Sequence, residues 1–274
     1  MFMSRQGSTR TPHVLLPSKQ RIAHSFGRRA ATYDCHAVMQ TELITVLVAK
    51  LAKLGLTNGR WVDCGCGTGI LAQESRKAGI SSSITGVDIA FIPLVINQKR
   101  NSAFASSVQA DIDELPFKPA MFDGALIAST LQWLANPSYT LQKISAILKH
   151  GGFLGFSVFI QGSFSELFSI QSSFGITAPV RCPDPDDFIK IVRETGFGCI
   201  DCSIVQKVVY SSDTASLLKN ISLMGGTVSA GRMLTKNTLA DFCELYERNF
   251  HDSVKGVPLT YRAIVGVCRK GAGL

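Results

Sequence analysis

The chain has 274 residues, 46% of them hydrophobic, which suffices for a sizeable core in one large domain or in a domain with a substantial insertion. No run approaches the roughly 18 apolar residues that a membrane helix needs. The formal net charge of +8 admits an anionic partner, but the basic residues are scattered, without the dense runs of a nucleic-acid binder. We therefore expect a cytoplasmic protein without a nucleic-acid or membrane partner, and a solvated basic face with no dedicated partner remains an alternative.

The N-terminal part of the chain divides into two segments. Residues 1–19 are polar and basic and lack the apolar core of a secretory signal, so a flexible arm is expected. Residues 20–56 are expected to form a helical cap. Within that segment, Leu43–Leu56 is apolar but interrupted by Lys50 and Lys53, which predicts an amphipathic surface helix. We expect residues 20–274 to form a single, monomeric domain.

A short apolar strand, an acidic residue and three glycines at alternate positions follow in Trp61–Gly69. Glycine permits a tight turn against which a ligand can lie, and the next helix offers unpaired N–H groups at its N-terminus. A dinucleotide fingerprint would need glycine at position 70, where Ile70 stands. The spacing therefore favours S-adenosylmethionine over NAD.

Two further predicted strands also end in acidic residues. Ser83–Asp88 is the first, and a doubly wound fold places such a carboxylate against ribose hydroxyls, so Asp88 is the predicted ribose ligand. Ser107–Asp111 repeats the pattern, and there the carboxylate can accept the adenine amino group while Ile112 packs on the ring. The alternative is that both acids are helix N-caps. The order of the glycine loop and the two acids favours the cofactor.

Strands and helices alternate from residue 60 to residue 160, which predicts a parallel sheet with a ligand at the carboxyl ends of its strands. Further strands are predicted at Phe122–Ala128, Phe153–Phe159, Cys199–Tyr210 and Leu259–Arg269. Helices are predicted at Tyr139–Lys149 (ended by Gly151 and Gly152), Phe164–Phe174, Asp184–Gly196, Asp213–Met224 and Thr235–Phe250. Residues 212–252 have the size of an inserted helical lid. The expected class is an α/β, doubly wound, Rossmann-like fold with a mostly parallel seven-stranded sheet.

The eight cysteines do not form a recognisable metal or disulfide pattern. Cys64 and Cys66 lie inside the glycine loop. Cys199 and Cys202 form a lone C-x-x-C within an apparent strand, with no second pair at zinc-finger spacing. We therefore expect structural thiols and no metal site.

Over most of its length the chain resembles the class I S-adenosylmethionine-dependent methyltransferases. The segments that carry this resemblance are Asp63-Cys-Gly-Cys-Gly-Thr-Gly69, Asp88, Ala110-Asp111, Phe122-Asp123 and Gly151-Gly152. The cofactor-binding residues implied by motif and resemblance together are Asp63, Cys64, Gly65, Gly67, Gly69, Asp88, Ile89, Asp111, Ile112, Ser129 and Leu131.

Within that class the chain is most similar to the malonyl-[acyl-carrier protein] O-methyltransferases of biotin synthesis. The similarity lies in an N-terminal pattern (Ile22, Phe26, Ala30-Ala31, Tyr33-Asp34, Ala37, Gln40), in Leu131-Gln132-Trp133, in Phe156-Ser157 with Gly162-Ser163 and Glu166-Leu167, and in Leu259-Thr260-Tyr261. It departs from the group at 180–185 and around Gly225-Gly226. The resemblance implies methylation of a malonyl thioester carried by an acidic acyl-carrier protein or by coenzyme A.

The candidate catalytic residues at the acceptor are Tyr33, Gln40, Trp133 and Tyr261, joined by a lid cation such as Lys219 or Arg232. Tyr33 and Gln40 are seven residues apart and would share one face of a continuous helix. Core packing is the alternative for Trp133 and Tyr261. A free carboxylate is already a nucleophile at neutral pH, so no general base is required.

Other functions remain open at the level of sequence. After the fourth strand the chain reads Ser129-Thr-Leu-Gln132, without the Asp/Asn-Pro-Pro-aromatic pattern common in methylation of base or amide nitrogen. Cytosine C5 methylation is also disfavoured, because the chain contains no Pro-Cys step. Another small acid, a quinone or sterol carbon, and a non-catalytic cofactor-binding subunit remain alternatives.

Overall fold

The computed structural model describes residues 16–103, 105–174, 180–224 and 235–271. Most of the expected arm, and Arg232 with Gly225-Gly226 of the expected lid, lie outside the described residues. Lys19, assigned to the arm by the sequence, is the first residue of a helix.

A seven-stranded sheet organises the fold, as the sequence predicts. Its order is β3-β2-β1-β4-β5-β7-β6, and all neighbouring pairs are parallel except those that β7 makes with β5 and β6. The strands are β1 (Arg60–Cys64), β2 (Ser83–Asp88), β3 (Ala105–Gln109), β4 (Phe122–Ala128), β5 (Leu148–Phe159), β6 (Phe197–Ser211) and β7 (Val257–Lys270). The Rossmann-like class is therefore confirmed.

Helices connect and cover these strands. They are α1 (Lys19–His36), α2 (Val38–Lys53), α3 (Ile70–Lys77), α4 (Phe91–Asn101), α5 (Pro137–Ile147), α6 (Ser165–Gln171), α7 (Pro185–Glu194), α8 (Thr214–Leu223) and α9 (Lys236–Phe250), with short 3₁₀ turns at Leu131–Trp133 and Ser172–Phe174. The starts of α5 and α7 follow from local sequence, because Asn136 and Asp184 accept backbone N–H groups and each is followed by a proline suited to the first helical position.

The sheet separates two hydrophobic cores. On one face α5 and α7 pack through side chains such as Ile144 and Phe188. On the other face α2, α3, α6, α8 and α9 contribute side chains that include Leu47, Leu71 and Tyr246. Both faces of the central strands are therefore covered, which leaves the carboxyl ends of β1 to β4 as the place where the chain can form a site.

The two N-terminal helices differ from the prediction. α1 ends at His36 and α2 begins at Val38, with a bend of 72° between them. Tyr33 and Gln40 consequently do not share a face of one helix, contrary to the expectation. α2 is also not a surface helix: its buried residues are Met39, Leu43, Ile44, Leu47, Val48 and Leu51.

The glycine pair after α5 does not end that helix. α5 ends at Ile147, and Gly151, with φ +71°, lies in the first part of β5, where the register with β4 shifts. Among the described residues, no single helix has both the length and the apolar character of a membrane span, although α1 and α2 together pass by length and composition.

Candidate active site

A cleft opens at the carboxyl ends of β1 to β4, at the edge where the sequence predicts a ligand. It contains about 890 Å³ of empty space, including its opening to solvent. Its lining comes from the strand ends and from one side of α1, namely Lys19, Ile22, Ala23, Phe26, Ala30 and Tyr33. These residues recur at helical spacing, so α1 lies over the cleft with a single face.

The glycine loop is held in place by the protein itself. The N–H groups of Gly65 and Cys66 donate to Val87 O, and the N–H of Gly67 donates to a carboxylate oxygen of Asp88 at 2.9 Å. Gly65 has φ +82°, and a Cβ there would lie 2.4 Å from the hydroxyl of Thr130. The loop is therefore a preformed cradle, because the amides of Gly65, Cys66 and Gly67 are engaged within the protein.

Asp88 lies at the centre of the cleft wall. Its two oxygens accept the N–H groups of Gly67 and Ala90, at 2.9 and 2.8 Å. Burial raises the pKa of Asp88, while these backbone hydrogen bonds oppose the shift. Each carboxylate oxygen has a further lone pair and can accept a ligand hydroxyl. Ala90, not Asp88, is the N-cap residue of α4, so the helix-capping alternative is not what the structure has.

Asp63 lies behind the glycine loop and is 2% exposed. Its Oδ2 atom has no hydrogen-bond partner among the described residues. Burial, with a smaller contribution from Asp88, raises the pKa of Asp63 to about 7. An unpartnered buried carboxylate oxygen is costly. Asp63 does not itself line the cleft, so it can favour a cationic amino group of a ligand only through water or through its charge.

Asp111 marks the other end of the cleft. Lys19 Nζ donates to both of its oxygens, at 2.8 and 2.7 Å, and to Asp113 at 2.5 Å. Asp111 also accepts the N–H of Asp113, which makes a local turn, and no helix begins there. Ile112 lines the cleft beside it. No sequence pattern marks Lys19 as a site residue, because its pairing with Asp111, just after β3, depends on where α1 lies.

Aromatic side chains close the end of the cleft next to β4. Phe26 contacts both Tyr33 and Trp133, with ring centroids 5.9 and 5.5 Å apart. Desolvation, followed by the charges of Asp34 and Asp88, raises the pKa of Tyr33. Ser129 lines the same end with φ +51°, a left-handed conformation that is uncommon outside glycine and recurs at functional sites.

Several predicted site residues do not line the cleft. Cys64 and Leu131 are buried in the core on the α5 side of the sheet. Gly69 is the N-cap residue of α3, with φ +82°, and lies against α4. A Cβ there would be 2.1 Å from Asn97 Oδ1, so close packing explains this glycine. Tyr261 is 5% exposed and packs among aromatic rings, 5.2 Å from Phe164.

Gln40 also lies outside the cleft lining, and its buried Oε1 has no hydrogen-bond partner among the described residues. Lys219 is exposed. The described parts of the expected lid contribute no residue to the cleft lining; Arg29 of α1 donates to Ser222 of α8 at 3.0 Å. The described cover of the cleft is therefore α1.

The cleft thus brings together nine of the predicted residues: Tyr33, Gly65, Gly67, Asp88, Ile89, Asp111, Ile112, Ser129 and Trp133. Sequence reasoning missed Lys19, Phe26, Thr68 and Thr130. The spacing of Ile22, Phe26, Ala30 and Tyr33 would have revealed the covering face of α1. A preformed loop, acceptors at three strand ends and an orphaned buried carboxylate fit a nucleoside with a charged amino tail, as in S-adenosylmethionine.

Comparisons with known proteins identify the family of the chain. Residues 62–156 match the model of a methyltransferase domain. The malonyl-[acyl-carrier protein] O-methyltransferase of Buchnera aphidicola is 30% identical over 91% of this chain and 98% of its own length. The enzyme of the same name from Geobacter sulfurreducens is 26% identical over 92% of this chain and 99% of its own.

Solved structures show the fold alone. An S-adenosylmethionine-dependent methyltransferase of Thermotoga maritima matches with a TM-score of 0.54 and 18% identity, over 90% of this chain and 99% of its own. The [4+2]-cyclase SpnF matches with a TM-score of 0.53 and 19% identity, over 84% and 82%. By its sequence relatives, this chain belongs to the malonyl-[acyl-carrier protein] O-methyltransferase family of class I S-adenosylmethionine-dependent methyltransferases.

Proposed function

We propose that the chain transfers the methyl group of S-adenosylmethionine to the free carboxylate of a malonyl thioester, and so starts the pimeloyl moiety of biotin. Relatives named for this reaction, which match about nine-tenths of the chain, support the proposal. The malonyl group is carried by an acidic acyl-carrier protein or by coenzyme A, and either carrier suits a chain of net charge +8.

One observation carries the proposal: among the described residues, the ionisable side chains that line the cleft leave no free general base. They are Lys19, Tyr33, Asp88 and Asp111. Lys19 and Asp111 pair with each other, Asp88 holds two backbone N–H groups, and the pKa of Tyr33 is raised. An alcohol or amine acceptor would need deprotonation. A carboxylate, with a pKa near ~4, is already ionised.

On this proposal the cofactor-binding residues have separate tasks. Asp88 accepts ribose hydroxyls, Asp111 accepts the adenine amino group beside Ile89 and Ile112, and Asp63 supports the amino tail from behind the loop. S-adenosylmethionine, when bound, supplies an electrophilic methyl group on a sulfonium. The protein's own contribution is to hold the donor against a preformed loop and to exclude water beneath α1.

The acceptor lies at the aromatic end of the cleft. Tyr33 offers an O–H donor to the malonyl carboxylate, and Phe26 and Trp133 enclose it. Ser129, held by Ser157 through a backbone hydrogen bond of 2.9 Å, fixes the adjacent wall. Methyl transfer is an in-line displacement, so its rate depends mainly on how the protein orients the donor and the acceptor. Effective molarities of order 10⁵ M are reachable in well-oriented systems.

The experiment is transfer of labelled methyl from S-adenosylmethionine to malonyl-acyl-carrier protein, with malonyl-coenzyme A and acetyl-acyl-carrier protein alongside. We expect transfer to a malonyl thioester and none to the acetyl carrier, which lacks the free carboxylate. The better malonyl donor identifies the carrier. Equal labelling of malonyl and acetyl carriers, or none with cofactor binding intact, would refute the proposal and direct the search to small acids, quinones or a non-catalytic role.

A further inference from the structure

Three cysteines converge at the β6–β7 pair, outside the cleft. The sulfur atoms of Cys199, Cys202 and Cys268 all lie within 4.8 Å of one another, and those of Cys199 and Cys268 are 3.2 Å apart. Strand β6 forms the edge of the sheet opposite to β3, whereas the cleft lies at β1 to β4. The cluster therefore takes no part in the proposed methyl transfer.

A β-bulge creates this convergence. In a regular strand, residues three apart point to opposite faces. Cys199 pairs with Cys268, Asp201 pairs with Val267 and Cys202 pairs with Gly266, so Ile200 is an extra residue without a register partner. The extra residue turns both cysteines of the C-x-x-C to the face that Cys268 occupies. Bulges commonly redirect a side chain in this way.

Gly266 provides the space for the third sulfur. It lies opposite Cys202 in the register, and a Cβ at this position would be 2.6 Å from Cys202 Sγ. Any side chain here would displace that sulfur from the cluster. Two backbone features, the bulge and the glycine, thus favour the same three-sulfur arrangement.

The closeness of the three sulfurs suits a thiophilic cation, because each cysteine can bind a metal as a thiolate and release its proton on binding.

We propose that Cys199, Cys202 and Cys268 form a three-thiolate site for one thiophilic d¹⁰ metal ion, Zn²⁺ or Cu⁺. Around zinc with Zn–S bonds of about 2.3 Å, tetrahedral geometry separates the sulfurs by roughly 3.8 Å. The 3.2 Å separation of the Cys199 and Cys268 sulfurs is shorter than this value, and the 4.8 Å limit that holds for all three sulfurs is longer. Among the described residues no fourth histidine, cysteine or carboxylate joins the group, so Cu⁺ takes the three sulfurs alone and Zn²⁺ adds a solvent ligand. The ion ties the edge strand β6 to β7.

The test uses the full-length protein, reduced and freed of metal. Zn²⁺ is titrated against a chromophoric chelator, Cu⁺ is titrated anaerobically against a Cu⁺-specific chelator, and Co²⁺ serves as a spectroscopic probe for thiolate coordination. Cys199→Ser and Cys202→Ser alter half-buried members of the cluster. Cys243→Ser on α9 is the matched control, since Cys243 is also half-buried but lies outside the cluster.

We expect one equivalent of metal per chain, a thiolate-to-cobalt charge-transfer band, and a rise in melting temperature with metal. Affinity should increase with pH, because binding releases the thiol protons. Cys199→Ser and Cys202→Ser should weaken binding by more than the roughly 10- to 100-fold that loss of an outer-shell partner costs, and Cys243→Ser should not. Equal affinity in all variants, or no stoichiometric binding to the reduced protein, would overturn the proposal.

Discussion

Helices α1 and α2 are neighbours in sequence, separated only by Ala37, yet they have opposite relations to the core. α1 has one buried residue, Ala30, and α2 has six. Polar contacts hold α1 near its two ends: Lys19 pairs with Asp111, and Asp34 accepts hydrogen bonds from Thr68 and Arg100, each at 2.5 Å. Apolar burial holds α2. The first helix is therefore a cover over the cleft, and the second is part of the scaffold.

The difference explains how one fold combines stability with ligand exchange. Burial contributes roughly 25 cal/mol per Å² of apolar surface, so α2 cannot leave the core without unfolding the domain. Ion pairs exposed by a third or so contribute about 1 kcal/mol or less each, so α1 can separate from the cleft while the sheet stays intact.

The sharpest test is a matched truncation in the two helices. Leu47→Ala in α2 should lower the free energy of unfolding by about 2–5 kcal/mol, because Leu47 is fully buried. Ile22→Ala in α1 should lower it by less than about 1 kcal/mol and should mainly weaken cofactor binding. Chemical denaturation of both variants measures the two free energies of unfolding. Similar losses in both variants would contradict the distinction between a scaffold helix and a cover helix.

The next effect concerns Asp63, whose carboxyl lies behind the loop that α1 covers. Its folded-state pKa of about 7 exceeds its ordinary value of 3.8, so its contribution to stability is fully present below pH 3.8 and is lost as the pH rises through 7. Asp63→Asn should remove roughly 3 kcal/mol of pH dependence between about pH 5 and pH 8. Unfolding curves across that range measure it, and parallel profiles for wild type and variant would contradict the assignment.

The third prediction concerns Tyr33, near the end of α1 that covers the proposed acceptor site. Tyr33→Phe should lower turnover about tenfold, which corresponds to about 1.4 kcal/mol in the transition state, because the acceptor carboxylate loses an O–H donor. Melting temperature and cofactor affinity should change little. Tyr139→Phe, at an exposed tyrosine outside the cleft, is the control. Unchanged turnover in Tyr33→Phe would remove this residue from the acceptor site.

The smallest effect is expected at the opposite end of the cover. Lys19→Met should raise the dissociation rate of S-adenosylmethionine a few-fold, since the ion pairs with Asp111 and Asp113 contribute about 0.2–1 kcal/mol. Stopped-flow binding measures the rate. Lys77→Met, which removes a surface ion pair with Glu74, should leave it unchanged. A rate that does not respond to Lys19→Met would mean that this contact does not hold α1 closed.

Much of the fold could be predicted because its signals are local. The bounds of β2 and β4 agree with the sequence prediction, since apolar residues in each segment lie between polar turns. The acids at strand ends were found for the same reason, and Asp88 and Asp111 both line the cleft.

What could not be predicted depends on contacts distant in sequence. Gly69 has the same pattern signal as Gly65, and only its position against Asn97 of α4 distinguishes a packing glycine from a cradle glycine. No sequence pattern indicates the bulge at Ile200, so in the sequence Cys199 and Cys202 resemble ordinary thiols of a strand. Lys19 resembles any basic residue of a polar N-terminus until its contact with Asp111 is known.

The single-residue break at Ala37 also places a bend of 72° between the cover and the scaffold. An 18-residue helix extends about 27 Å, so a rotation of roughly 10° about the break would swing its far end through about 5 Å. Tyr33 and Asp34, next to the pivot, would move by about an ångström. If the cleft opened by such a rotation, the gap would form first above Asp111 and last above Tyr33. On the assignment proposed above, the adenine end of the donor would then be released while the methyl end is still shielded from water.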